Sequence, residues 1–317
     1  MFVSVLIKVV SIFLIILAGG LARRKNFLTD ASASSMAICV TNFFYPALIV
    51  SSITSNFTIQ SLISNWVLPA GTIIIMLVGY ITGILFVRLL SFDSKQEKNT
   101  FLFQCTINNY VFLPLPIVAM FFGNTGVAYL IFSSFGSEIS VWTIGMLGLT
   151  GNRLDKKNLK NLLSTPVFSL IFSIIVILVR DSFGICGIDR FSKEIFHALA
   201  YSIEMLGKAT VPLALFLAGS RISKISIMHL KNPNQFWIIF LRLIFIPALS
   251  CTFISFLPIS HETFLVLAIV AIMPAAIASI ILADAYRADI EFASASVLTT
   301  HIVSLVTIPA WLTFLTR

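Results

Sequence analysis

Long apolar runs follow one another along almost the entire chain, with only short polar segments between them. A helical run of about 20 apolar residues is long enough to cross the hydrocarbon core of a membrane. We find ten such runs and number them spans 1 to 10 in chain order. Their bounds are 2–22, 31–54, 66–91, 99–122, 126–149, 164–182, 196–221, 235–257, 262–285 and 290–315. The pattern predicts an all-α integral membrane protein with ten transmembrane helices.

Prolines near the middle interrupt two of the most apolar runs, at corresponding places in the two halves of the chain. Pro116 lies in span 4 and Pro274 lies in span 9. A proline inside a helix removes one backbone hydrogen bond and clashes with the preceding turn. In a membrane, the freed backbone groups are tolerated only where they are buried in protein or line a wet cavity. Paired broken spans are typical of transporter binding sites, so we predict breaks at both prolines.

The longest strongly polar stretch divides the ten spans into five and five. We therefore predict a first five-helix repeat over 1–150, a cytoplasmic connecting loop over 151–163 and a second five-helix repeat over 164–317. An odd number of spans in each half makes the second repeat insert upside down relative to the first. This inverted arrangement is common in secondary transporters. The three parts form one membrane domain.

The composition and the distribution of charge favour a membrane protein over other classes. The chain is 58% hydrophobic and 11% charged, with a mean hydropathy of +1.01, whereas soluble domains carry about a quarter charged residues. Fourteen of the 21 lysines and arginines fall in loops on one side of the ten-span arrangement, and four fall on the other. The positive-inside rule then predicts a cell-membrane protein with both termini outside the cytoplasm. We expect the lipid bilayer, and no nucleic acid, as a partner of these basic loops.

Polar side chains gather just before the predicted break in span 4. Asn108, Asn109 and Tyr110 are costly in hydrocarbon unless their polar groups are satisfied. The ends of broken helices direct fixed dipoles into the same space. We therefore predict that these three residues, together with Pro116 and Pro274, form the substrate site. The alternative is that the polar groups only join neighbouring helices.

Charged residues inside the spans extend this candidate site. Lys208 in span 7 and Asn42 in span 2 hold matching positions in the two repeats, and Lys208 would attract an anion. Glu204 lies four residues before Lys208, so the two charges could instead neutralise each other. Glu138 in span 5 and His301 in span 10 are also nearly equivalent. We predict that they are coupling residues, with Glu138 providing either proton coupling or charge selectivity. Lys208 or His301 would then be the partner of Glu138, whereas the alternative is a helix contact without a role in turnover.

Other reactive or metal-binding patterns are missing from the sequence. The four cysteines have no metal or redox spacing, and no phosphate loop, paired carboxylates or Ser-His-Asp order occurs. We therefore expect no metal, no cofactor, no catalytic residues and no enzyme activity. Lys8 in span 1 is expected to extend towards the membrane surface. Arg242 in span 8 could do the same, and the sequence leaves its role open.

Several short motifs occur in an order that is similar to one known family. They are Tyr45-Pro46-Ala-Leu in span 2, Asn109 and Phe112-Leu-Pro-Leu-Pro116 in span 4, Val141-Trp142 in span 5, Gly207-Lys-Ala-Thr-Val-Pro212 in span 7 and Met273-Pro274-Ala in span 9. Together they resemble the auxin efflux carrier family, which includes plant PIN-type carriers and bacterial permeases for dicarboxylates such as malate. The resemblance covers nearly the full length.

The resemblance implies a scaffold part and a transport part that moves by an elevator-like displacement, usually in a homodimer. It also implies that the broken spans 4 and 9 cross near the middle of the membrane and that Asn109 contacts substrate. Val111, Pro114 and Ala278 depart from residues that relatives often carry near the breaks. These departures leave the identity of the substrate open.

Together, these features predict a secondary transporter that moves a small organic anion, which we expect to be a carboxylate, by elevator-like alternating access. One alternative is a sodium-coupled symporter of the related bile-acid type, and the sodium dependence of uptake would separate the two. The other alternative is a non-transporting membrane receptor. A receptor usually needs an added signalling domain, and almost none of the chain is left over outside the ten spans.

Overall fold

The computed structural model describes residues 2–151, 164–183, 190–223 and 232–316, and within these ranges it consists of helices joined by short loops. The predicted connecting loop, 151–163, lies outside the described residues except for its first residue. We number the helices α1 Phe2–Arg24, α2 Asp30–Asn56, α3 Ile59–Ser64, α4 Val67–Leu89, α5 Lys95–Thr106, α6 Pro114–Thr150, α7 Thr165–Phe183, α8 Arg190–Lys208, α9 Thr210–Ile222, α10 Asn234–Ser255, α11 His261–Ala271, α12 Ala278–Ala285 and α13 Ile290–Leu315. α2, α6 and α10 each contain one π-turn.

Within the residues that the structure describes, eight helical stretches are long and apolar enough to cross a membrane, which confirms an all-helical membrane protein. The predicted spans 4 and 9 do not appear as single continuous helices. Span 4 is divided between α5 and the start of α6, and span 9 is divided between α11 and α12. A kink at Gly123, where φ is 59° and ψ is −148°, then separates the end of span 4 from span 5 within α6. The ten-span count and the inverted repeats remain predictions.

Side-chain caps determine where several helices begin. Thr29, Ser94, Ser260 and Asp289 each precede a helix, and each accepts a hydrogen bond from a backbone N–H three residues later. The N–H groups of a first helical turn have no partner within the helix, and a cap of this kind contributes about 1 kcal/mol. The polar residues between the apolar runs therefore define the starts of α2, α5, α11 and α13.

The helices pack as two groups. In the first group (α1, α2, α7, α8 and α9), α1 packs on α9, and α2 packs on α7 and α8. In the second group (α4, α5, α6 and α10 to α13), α4 packs on α5 and α6, α10 packs on α4 and α11, and α13 packs on α10 and α12. The groups meet where α1 lies against α13 and where α2 lies against α6. Each group thus combines helices from both halves of the chain.

Glycines allow the closest helix contacts within each group. A Cβ atom at Gly19 of α1 would overlap the carbonyl oxygen of Phe216, and a Cβ atom at Gly219 of α9 would overlap that of Ile16. Gly136 of α6 meets the backbone of α4 in the same way. Small residues let helix backbones approach closely in a membrane, where van der Waals packing drives association. Direct contact between helix backbones therefore stabilises the packing inside both groups.

Two short non-helical segments separate the divided helices and pair with each other. Residues 107–113 lie between α5 and α6, and residues 272–277 lie between α11 and α12. The N–H of Asn109 donates to the carbonyl of Pro274 at 2.8 Å, and Asn108 forms an isolated antiparallel bridge with Ala275. This pairing satisfies backbone groups that a helix break inside a membrane would otherwise leave without partners. We call the two paired segments the crossing.

The two prolines used to predict the breaks occupy different positions in the structure. Pro274 lies within the crossing, as the sequence predicted. Pro116 lies in the first turn of α6 together with Pro114, so the prediction of a break at Pro116 was wrong in its position. A first helical turn tolerates proline because the missing N–H has no partner there, and the fixed φ of proline suits the helix. The break precedes both prolines, at 107–113.

Candidate functional site

A cavity of about 320 Å³ lies beside the crossing and between the two helix groups. The first group contributes residues of α2, α7 and α9 to its wall, and the second group contributes residues of α6, α12 and both segments of the crossing. Most of the wall is apolar. The polar residues of the wall are Thr41, Tyr45, Asn108, Asn109, Tyr110, Glu138, Trp142 and Arg221. A mainly apolar cavity with a few converging polar groups is the usual form of a small-molecule site.

Glu138 lies on α6 and is half-buried in the cavity wall. The hydroxyl group of Tyr110 donates to Oε1 of Glu138 at 2.9 Å, and the side chain of Trp142 also hydrogen-bonds to the carboxyl group. Trp142 lies one turn further along α6, whereas Tyr110 comes from the crossing. Two neutral donors therefore hold the carboxyl group, in place of the Lys208 or His301 partner that we considered from the sequence.

Asn109 connects the crossing to His301 of α13. Nδ1 of His301 lies 2.8 Å from the carbonyl oxygen of Val297, which can only accept, so Nδ1 carries a proton. Nε2 of the neutral ring then accepts from Nδ2 of Asn109 at 3.4 Å. Oδ1 of Asn109 accepts from the N–H of Leu113, also at 3.4 Å. Both side-chain contacts of Asn109 are long and therefore weak, whereas His301 is buried behind the cavity wall.

Asn108 stabilises the broken end of α11. Its Nδ2 atom donates to the carbonyl of Val270. In an unbroken helix, that carbonyl would accept from the residue four positions later, which is Pro274 and has no N–H. Oδ1 of Asn108 is buried, and none of the described residues donates a hydrogen bond to it. The residue therefore supports the crossing with its amide nitrogen and leaves one acceptor unused beside the cavity.

The remaining predicted site residues lie outside the cavity wall. Lys208 is exposed at the end of α8 and forms an ion pair with Glu204 at 2.7 Å, which is the neutralising pair considered as the alternative. Asn42 is exposed on α2, where its Oδ1 accepts from the hydroxyl group of Thr165 at 2.8 Å. Pro116 and Pro274 shape the helix ends next to the crossing. The structure thus brings together Asn108, Asn109, Tyr110 and Glu138 and separates them from Lys208 and Asn42.

Arg221 is a cavity residue that the sequence analysis did not identify. It lies in the last turn of α9, is half-buried and contributes to the cavity wall. In the sequence it stands at the end of span 7, where we counted it among the basic residues of the cytoplasmic loops. Arg221 follows Leu217 by one helical turn and lies on the same face of α9 as Ala214. The sequence would have indicated that its side chain points inward only if it had also shown which helices pack against that face.

Two side chains bring ionisable groups to the cavity. Glu138 on the second helix group contributes a carboxyl group, and Arg221 on the first helix group contributes a guanidinium group. Among the residues that the structure describes, no group of three or more His, Cys, Asp or Glu side chains could hold a metal ion. The arrangement can therefore bind a small molecule through one guanidinium group, two amides and a phenol, within a largely apolar wall.

Comparisons with known proteins place these features in a family context. The model of the family described as membrane transport protein matches residues 4–158 and 150–312. An uncharacterized transporter from Methanocaldococcus jannaschii is 27% identical over 312 residues, and an uncharacterized transporter from Methanothermobacter thermautotrophicus is 25% identical over 311 residues. Each alignment covers 96% of this chain and 96% of the relative. These matches confirm the resemblance to auxin efflux carriers that the motifs indicated.

Proposed function

The chain belongs to the membrane transport protein family, and on that premise we propose that it is a secondary carrier for a small organic anion. The observation that carries the proposal is the cavity between the two helix groups, where Arg221 faces the same space as the amides of the crossing. A guanidinium group can bind a carboxylate through two parallel hydrogen bonds. The apolar remainder of the wall suits a hydrocarbon or aromatic body. A carboxylate is therefore the proposed substrate class.

The packing of the helices supports alternating access by displacement of one group against the other. The first group corresponds to the scaffold that the resemblance implies, and the second group contains the crossing and corresponds to the transport part. Both groups border the cavity, so a displacement of the second group would carry a substrate bound at the crossing across the scaffold. Inverted five-helix repeats over 1–150 and 164–317 would provide an equivalent state that faces the other side.

The position of the cavity relative to the basic loops suggests which state this structure represents. Arg221 and Ala37 of the cavity wall lie near the ends of predicted spans 7 and 2 that adjoin the loops rich in lysine and arginine. Under the positive-inside rule those ends face the cytoplasm. We therefore propose an inward-facing carrier in the cell membrane, with both termini outside and with a homodimer as its assembly.

Transport by the purified protein in liposomes tests the proposed function. We expect counterflow of a labelled carboxylate when the liposomes are loaded with the same compound, and we would screen monocarboxylates, dicarboxylates and indole acids. The neutral amide of each acid is the matched control, because it keeps the shape but loses the charge that Arg221 binds. Equal uptake of acids and amides would overturn the anion specificity, and the absence of exchange across the whole panel would overturn the function as an anion carrier.

Replacing Glu138 with glutamine is expected to remove the effect of a proton gradient on uptake. Glutamine keeps the size of the side chain and can still accept from Tyr110 and Trp142, but it cannot take up a proton. Burial disfavours a charged carboxylate, so proton binding and release can accompany the alternation between the two sides. The measurement is uptake with and without an imposed proton gradient. Glu204→Gln on the exposed face of α8 is the control, and a Glu138→Gln variant that still responds like the wild type would rule out coupling through this residue.

A further inference from the structure

Arg242 is a completely buried arginine within the second helix group. It lies in the π-turn of α10, and its side chain is the largest among those with less than 2% of their surface exposed. No ion pair with a carboxylate joins Arg242 to any of the described residues, and its Nε atom has no hydrogen-bond partner there. Burying an unpaired cation in protein is costly, so its surroundings must stabilise the positive charge in another way.

Two backbone carbonyls at the helix ends next to the crossing provide that stabilisation. Nη1 of Arg242 donates to the carbonyl of Cys105 at 3.0 Å, and Nη2 donates to the carbonyl of Ala271 at 3.0 Å. Cys105 lies in the last turn of α5, and Ala271 is the last residue of α11. The guanidinium group thus joins the carboxyl-terminal ends of the two helices that stop at the crossing.

Both carbonyls lack their normal helical donors because of the crossing itself. In a continuous helix, Cys105 would accept from the N–H of Asn109, but that N–H donates to Pro274. Ala271 would accept from the N–H of Ala275, which is directed to the hydroxyl group of Thr300 at 3.3 Å. The two helix breaks therefore leave two acceptors near one point, and Arg242 satisfies both.

This is an environment that favours a positive ion. The carboxyl-terminal end of a helix carries a partial negative charge, and here two such ends converge on one buried place. In transporters with broken helices, the free carbonyls and the carboxyl-terminal ends of the half-helices commonly coordinate a sodium ion. In this chain, a covalently attached guanidinium group occupies that environment.

We propose that Arg242 is the resident cation of the crossing and replaces a dissociable coupling cation, so that the carrier works without sodium. The inference rests on the proposed function, since it names the coupling requirement of that carrier. It also favours the anion carrier over the sodium-coupled symporter considered from the sequence, because the guanidinium group occupies two carbonyls that a sodium ion could otherwise use.

The test removes the guanidinium group of Arg242 by substitution and measures whether a free cation then binds in its place. Purified Arg242→Ala is expected to melt roughly 5–10 °C below the wild type. Millimolar guanidinium chloride should recover much of this loss, with a shift that grows with the logarithm of its concentration, as for any ligand of the folded state. Urea at the same concentration is the neutral control and should not recover it. The wild type should melt at the same temperature in sodium chloride and in choline chloride.

Arg180 provides a matched control variant. It also donates to two carbonyls near a helix end, those of Thr54 and Phe57 at 2.7 Å each, but its side chain is partly exposed and forms an ion pair with Asp181. Arg180→Ala should therefore show no recovery by guanidinium. If Arg242→Ala does not fold, Arg242→Met can be tested in its place, with Arg242→Lys, which keeps the charge, as the variant that should not respond.

The outcomes separate this inference from the proposed function. An Arg242→Ala protein that responds to guanidinium no more than to urea would overturn the role of a resident cation, as would sodium-dependent melting of the wild type. Neither measurement needs a substrate. Exchange of an organic anion by the wild type in sodium-free liposomes is the corresponding transport result, and a strict sodium requirement there would reject the inference while leaving the carrier function intact.

Discussion

Alanine in place of Asn109 is expected to abolish uptake of the organic anion while the protein still folds. The side chain of Asn109 lines the cavity, and its two contacts, to His301 and to the N–H of Leu113, are both 3.4 Å long. Each contact contributes at most about 1 kcal/mol to folding, so the melting temperature should fall by only a few degrees. A substrate that displaces these weak contacts can form hydrogen bonds with the amide of Asn109. Alanine has no amide, so the variant loses these hydrogen bonds to the substrate.

The measurement for Asn109→Ala is counterflow in liposomes, together with the melting temperature of the purified protein. Asn56→Ala is the matched control, because Asn56 lies at the end of α2, donates to the carbonyl of Ser52 at 2.8 Å and is outside the cavity wall. It should transport normally. Unchanged transport by Asn109→Ala would mean that this side chain only joins α13 to the crossing.

Glutamine in place of Arg221 is expected to raise the KM for the anion by roughly 10–100-fold, because a hydrogen bond to a charged group contributes about 1.5–3 kcal/mol. Arg221→Lys keeps the charge but loses the paired geometry, and it should fall between the wild type and Arg221→Gln. The maximal rate should change much less than the KM, since the residue acts in binding. The measurement is the concentration dependence of uptake for one acid from the panel.

Arg88 is the control for this substitution. It lies in the last turn of α4, on the predicted cytoplasmic side like Arg221, but it is exposed and is not part of the cavity wall. Arg88→Gln removes the same charge from the same side of the membrane and should leave the KM unchanged. An equal rise in KM for both variants would indicate a general effect of surface charge, and no rise for Arg221→Gln would exclude the residue from binding.

The division into apolar helices and the polar groups beside a broken span were predictable from local sequence, whereas the crossing of spans 4 and 9 was expected only from the resemblance to the family. Runs of about 20 apolar residues have few structural alternatives, since every backbone group in a membrane must be satisfied within the protein. The same logic identified Asn108, Asn109 and Tyr110, because polar groups beside a broken apolar run need partners or water. All three line the cavity together with Glu138.

The exact place of the break in α5–α6 was less predictable, because proline has two roles in helices. Pro114 and Pro116 follow the break and start α6, whereas Pro274 lies inside the crossing. Local sequence shows a proline in both places and does not tell these two roles apart. The roles differ because of the pairing of Asn109 with Pro274, a contact between residues that are far apart in the chain.

The depth and the partners of charged residues were the least predictable features. Arg242 and Lys208 both stand in apolar surroundings in the sequence, yet the first is completely buried and the second is exposed and paired with Glu204. The carbonyls that hold Arg242 belong to Cys105 and Ala271 of two other helices. Periodicity within one helix carries no information about such partners.

The close packing of α1 on α9, at Gly19 against Phe216 and at Gly219 against Ile16, has a consequence for the order of assembly. These two glycines belong to helices that a ribosome completes at very different times, since residue 219 follows residue 19 by about 200 positions. At a synthesis rate of about 5–20 residues per second, α1 waits roughly 10–40 s before its partner helix exists. During that interval its small-residue face is open to lipid or to other newly made helices. Early biogenesis of this protein is therefore the stage at which a chaperone or a temporary neighbour for the first helix matters most.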